Sequence, residues 1–162
     1  MFQIGDKVVH PMHGAGVIDS IVQEKINGKV QDYYVFRMPI NGLVLKIPTA
    51  NSELVGLRAV IDEDRADCVI NSLRELKIDV TTNWNKRYRE NLERLKSGDL
   101  YEVARVIKCL MLREAERGLS TGERKMLHNA KQIFISEMVL AKGKPYQEIE
   151  CRVNETMLGE GA

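Results

Sequence analysis

Along the first 60 residues apolar and polar positions alternate with a period of two, in short runs broken by Gly, Pro and Asn. Lys7-Val8-Val9-His10 ends at Pro11, and Gly14-Ala15-Gly16 precedes Val17-Ile18-Asp19-Ser20-Ile21-Val22. Asn27-Gly28 is a two-residue hairpin signal, because both central positions of a type I′ turn need positive φ. The return strand, Gln31 to Met38, puts Tyr33, Val35 and Arg37 on one face and Tyr34, Phe36 and Met38 on the other. Pro39 and Asn41-Gly42 break it, and Leu43 to Ile47 then runs to Pro48. Short strands closed in this way predict a small, strongly bent sheet or barrel. Such a core is marginal alone, so it is expected to lean on the rest of the chain or on a partner.

From Asp62 the period changes to that of helices. Ala66, Val69, Ile70, Leu73 and Leu76 share one face. Thr82 is a candidate cap for a helix from Asn83 to Leu95, ended near Ser97-Gly98, and Asp99 starts the next. There Val103, Val106, Ile107, Leu110 and Met111 form a stripe that stops at Gly118. Ser120-Thr121-Gly122-Glu123 fits a capping box ahead of Met126, Leu127, Ala130, Ile133, Phe134 and Met138, with a stop at Gly143. Pro145 opens a last helix through Ile149 and Val153 to Leu158. The prediction is an α+β chain of two domains: a β domain over 1–58, then an all-helical domain of about five helices over 59–162.

Composition narrows the function. The net charge of +1 and pI near 7.7 mean that an anionic partner is met by a local patch, not by the global field. The opening MFQIGDKVVHP lacks a charged segment followed by an apolar run, so no signal peptide is expected. No stretch approaches the roughly 20 apolar residues of a membrane span, so no membrane partner is expected. Cys68, Cys109 and Cys151 are odd in number and far apart; they read as buried, reduced thiols of a cytoplasmic protein. Nucleotide-loop, nucleophile-elbow and HExxH motifs are absent. His10 and His13 lack a credibly spaced third ligand and read as turn residues, while His128 reads as a surface or boundary residue. Glu114, Glu116 and Glu123, interleaved with Arg113, Arg117 and Arg124, read as a solvated, ion-paired helix face. A binding protein is favoured over an enzyme, with no cofactor and no metal; nothing demands a dimer, so a monomer is expected.

One stretch, NWNKRYRE, holds the chain's single tryptophan, Trp84, among Lys86, Arg87 and Arg89, with Arg94 and Lys96 further on. Arg124 and Lys125 lie in the first turn after the capping box. Cations there oppose the helix macrodipole, at a penalty of up to about 1 kcal/mol. A phosphate partner would explain them better than local stability does. Trp84 sits four residues before Tyr88, on a stripe with Leu92 and Leu95, and so reads equally as the end of a core stripe. Alternatively its ring stacks on a base or wedges into a distorted minor groove. Both readings stand at this point.

GDKVVHPMHGAGVI, LKIPTANSELVGLR, TNWNKRYRENLERLKSGD and ERGLSTGERKMLHNAKQI together resemble the CarD/CdnL family of bacterial transcription regulators, through nearly the whole chain and most weakly past Lys142. The resemblance implies a Tudor-like N-terminal domain, similar to one in transcription-repair coupling factors, that binds the β subunit of RNA polymerase. It implies that the helical domain contacts promoter DNA near the −10 element within the sigma-containing holoenzyme. There the family's tryptophan, matched by Trp84, wedges into the minor groove at the upstream edge of the bubble and stabilises the open complex. Lys86, Arg87 and Arg89, with Arg124 and Lys125, match or flank its DNA-facing cations. Lys46 stands where the family commonly carries an arginine towards polymerase, near Pro48. Glu24 replaces a basic residue of some members at the same interface, and His10 a frequent tyrosine. The expected place of action is the cytoplasm, on the nucleoid through polymerase. Two rivals stand beside this reading: a polymerase-bound adaptor without a wedge, and a stand-alone nucleic-acid-binding module.

Overall fold

The computed structural model describes residues 1–78 and 83–158. The strands are β1 (Lys7–His10), β2 (Gly14–Ile26), β3 (Lys29–Arg37), β4 (Val44–Pro48) and β5 (Arg58–Ala59), in one antiparallel sheet of order β4-β3-β2-β1-β5. The Asn27-Gly28 turn joins β2 to β3 with φ of 53° and 80°, as a type I′ turn requires. A register shift between Ile18 and Ser20 bends β2. Gly16 is required where the sheet folds over: a Cβ there would stand 2.4 Å from the Arg37 carbonyl oxygen. Tyr34, Phe36 and Met38 face inward onto Val8, Ile18, Ile47 and Leu57, as the alternation predicts, while Tyr33 and Val35 lie half-buried on the outer face. The last strand, Arg58–Ala59, reaches one residue past the expected boundary at 58 and is too short to carry a pattern.

The helices are α1 (Ser52–Val55), α2 (Glu63–Ser72), α3 (Trp84–Lys96), α4 (Leu100–Arg117), α5 (Thr121–Lys142) and α6 (Tyr146–Met157). Single turn α1 belongs to the β half; the other five match the expected count. Asp62, Asp99 and Ser120 cap α2, α4 and α5 through side-chain oxygens. Thr82, expected to cap α3, lies outside the described residues; Asn83 does so, accepting the Lys86 N–H at 3.0 Å. The apolar stripes of α2 to α6 close one core that includes Ile70, Leu73, Ile107, Leu110, Phe134 and Ile149. The sheet leans on α5, whose Ser136 and Glu137 are fully buried against it.

The three cysteines are free, but they are not buried. Cys68 and Cys151 are exposed and Cys109 is half-exposed, because each falls on the outward flank of its helix stripe. His10 acts as a turn residue: its Nδ1 accepts the Met12 N–H at 3.1 Å. Burial, with His13 4.7 Å away ring to ring, lowers its pKa to about 4. His128 is exposed. Among the described residues no cluster is placed to hold a metal ion, and no helix is long and apolar enough to cross a membrane.

Candidate nucleic-acid interface

Asn83 starts α3, so Trp84 is its first residue and Tyr88 lies one turn on, on the same face. Their rings stack with centroids 5.0 Å apart and planes 18° from parallel. The indole Nε1–H donates to Ser120 Oγ at 3.2 Å. Even so, the residue is 42% exposed. Trp84 is thus neither a core residue nor a free arm: one ring face is seated on Tyr88, one edge is pinned to the start of α5, and the rest meets solvent.

Beneath the indole lies a buried ion pair that the charge pattern conceals. Arg87 is 4% exposed; its Nε donates to Glu123 Oε2 at 2.9 Å and its Nη2 to Oε1 at 3.3 Å. Arg87, expected to hold backbone phosphates, is buried here: three residues after Trp84, it turns inward between α3 and α5. The reading of Glu123 is corrected. Expected on a solvated face, it is 1% exposed. The capping box is half-formed: the Ser120 hydroxyl accepts the Glu123 N–H at 3.2 Å, while the carboxylate receives Arg87 and the Ser120 hydroxyl. Burial pushes the Glu123 carboxyl up, but the hydrogen bonds and charge of Arg87, with the charge of Arg113, hold it below the usual carboxylate range. Arg113 Nε stands 3.9 Å from Glu123 Oε1.

Exposed cations surround this buried centre. Lys86 lies 3.9 Å from Glu90, one turn on, a weak surface pair. Arg89 and Lys125 are exposed with no ion pair among the described residues, and exposed Arg124 donates only to the Leu119 carbonyl at 3.4 Å. Arg94 is spent internally, on Glu102 and Asn91. The Trp84–Ser120 bond and the Arg87–Glu123 pair join the N-termini of α3 and α5, so two positive helix ends and four exposed cations share one end of the helical bundle. Sequence reasoning missed Ser120 as a partner of the indole and Tyr88 as its seat. The Trp84-x-x-x-Tyr88 spacing signals the second, but nothing local signals the first.

The residues expected at a polymerase face lie on the outer side of the sheet. Lys46 on β4 and Glu24 on β2 are ion-paired to each other across β3, both partly exposed. Pro48 is half-buried opposite Tyr33 in the β3–β4 register. In the sheet order β4 is an edge, with one row of backbone groups facing away from β3.

With this geometry in place, comparison identifies the relatives. Residues 2–61 match the family described as CarD-like/TRCF RID domain, and residues 68–154 match the CarD, C-terminal domain. The chain belongs to the CarD family. A Bacillus subtilis (strain 168) protein named "Putative transcription factor YdeB" is 36% identical over 150 residues, covering 93% of this chain and 98% of that protein. The match extends to residue 154, past the point where the resemblance weakens in the sequence. Membership makes this chain a transcription regulator of CarD type, and the α+β, two-domain expectation holds.

Proposed function

We propose that the chain binds the β subunit of bacterial RNA polymerase through its sheet, and stabilises the promoter open complex by wedging Trp84 into the minor groove at the upstream edge of the −10 bubble. One observation carries this reading: the single tryptophan is presented, seated on Tyr88 and partly exposed, at the end of the bundle where Lys86, Arg89, Arg124 and Lys125 gather. That exposure tells against an adaptor with a buried indole. The cations hold phosphates and set position without reading sequence, while Arg87 supports the wedge from below. Docking through Glu24, Lys46, Pro48 and the β4 edge supplies effective concentration, so intrinsic DNA affinity can be weak, in keeping with a net charge of +1. The protein then acts where polymerase is, on the nucleoid, as a monomer.

A ligand shifts an equilibrium only by its differential affinity for the two states. A stacking difference of about 1–3 kcal/mol raises the open complex roughly 5- to 150-fold on promoters where melting is unfavourable. The test is open-complex lifetime on a weak promoter with sigma-containing holoenzyme. Wild type lengthens the lifetime; Trp84→Ala binds polymerase equally well and loses most of the effect. A Trp84→Ala protein as effective as wild type would sink the wedge.

A further inference from the structure

Helix α5 serves both candidate surfaces. Its first turn lies under Trp84, and its second half lies on the sheet. At that second contact Glu137 is fully buried, yet Arg58 of β5 donates to both its oxygens at 2.7 Å and the Ile61 N–H adds a bond at 3.1 Å. Beside it, buried Ser136 Oγ accepts the Ala15 N–H at 2.9 Å and donates to the Ile133 carbonyl at 3.0 Å. Gly14, with φ of +118°, brings strand against helix: a Cβ there would stand 2.5 Å from Ser136 Oγ and 3.2 Å from Ile133 Cα. Lys7 Nζ donates to the Leu140 carbonyl at 3.2 Å, one turn further along α5.

Apolar packing alone would bury this contact with no desolvated charge, and burying the Glu137 carboxylate against a guanidinium that stays 36% exposed is a poor means of gaining stability. What directional bonds add is a fixed angle. We propose that Arg58, Glu137, Ser136 and Gly14 form a positioning device that sets the angle between the sheet and α5, and hence where Trp84 stands once the sheet is docked. This inference rests on the tethered-wedge reading above. Glu123 and Glu137 are about 21 Å apart along the helix axis, at about 1.5 Å per residue. A tilt of roughly 10° at the junction therefore displaces the Trp84 end by about 4 Å, well beyond the about 0.5 Å tolerance of a built site.

The experiment compares the full-length wild type with Glu137→Gln, Arg58→Gln and Gly14→Ala. It reads polymerase affinity, nitrogen-15 relaxation of each half, and open-complex lifetime on the weak promoter. In the variants, polymerase affinity is expected to stay within about twofold of wild type, the halves to tumble independently, and the lifetime gain to fall at least about fivefold. If Glu137→Gln loses its fold, Gly14→Ala carries the same comparison without removing a charge. An undiminished lifetime gain in every variant overturns the proposal, whether the halves tumble independently or together. A wild type that gives no lifetime gain marks instead the failure of the wedge reading, seen before any variant is compared, and the positioning role falls with it.

Discussion

At Trp84 a stacked ring, a single hydrogen bond and an open face act together, and each can be removed separately. Ser120 serves twice, capping α5 through the Glu123 N–H and receiving the indole N–H. Ser120→Ala should therefore lower stability by about 1 kcal/mol, as for a lost N-cap, and free the indole to rotate on Tyr88. Trp84 emission should shift and the open-complex lifetime should shorten, by less than in Trp84→Ala. In a double-mutant cycle the two changes should be non-additive; additive effects would show that the hydrogen bond does nothing for the wedge. Below the ring, Glu123 gives a second handle through pH. Its folded pKa lies beneath the ordinary 4.5, so its contribution is complete above that value and is lost as pH falls through the folded pKa. His10 acts over a higher window. Its folded pKa of about 4, against 6.5 unperturbed, makes stability decline as pH drops from 6.5 towards 4, because the unfolded chain takes up a proton that the fold refuses. Denaturant titrations along this range should show both losses, with His10→Gln flattening the upper window and Glu123→Gln the lower.

At the scale of elements, the two candidate surfaces are built on different principles. The α3/α5 end is a buried ion pair overlaid by an aromatic pair, whereas the sheet carries exposed pairs, Lys46–Glu24 beside a short edge strand and Arg37–Asp19. An exposed pair contributes about 0–1 kcal/mol, so Lys46→Glu should leave the fold intact. It would place two carboxylates together and reverse the local field, and polymerase binding measured by calorimetry should weaken at least about tenfold. Unchanged binding would move the docking surface elsewhere. Strands β1 to β4, the type I′ turn and five helices were legible because each rests on local periodicity and on Asn, Asp, Ser and Gly at the right offsets, whereas β5 is too short to carry a pattern. The candidate site was legible only in part. Arg87 and Lys86 look alike in sequence, yet one is buried and the other exposed, because partners on another helix decide which side of α3 faces inward. Lys108 illustrates the same limit: its ammonium donates to the carbonyls of Leu73, Arg74 and Leu76, far along the chain, and burial pushes its pKa down. The cysteines were misplaced for the opposite reason, since a residue type that is usually buried fell on the solvent side of each stripe.

Across the whole molecule, if the near-neutral chain meets DNA through a few cations at one end, its binding should respond to salt. Each phosphate neutralised releases condensed counterions, and log K falls against log salt with a slope of about −0.9 per contact on duplex DNA. With Lys86, Arg89, Arg124 and Lys125 engaged, the full chain on a fork-junction promoter fragment should give a slope of about −3 to −4. Replacing any one of Lys86, Arg89 or Lys125 by Gln should make that slope shallower by about 1. Arg87→Gln is the telling control. It removes the same formal charge but from a buried pair, so it should weaken the fold and the wedge yet leave the slope of the folded protein unchanged. If Arg87→Gln instead lowers the slope as the surface variants do, the guanidinium leaves Glu123 for a phosphate on binding, and the ion pair is a latch released by DNA. If none of the variants alters the slope, this end of the bundle does not meet DNA, and the positive helix ends with their tryptophan must be assigned to a protein surface.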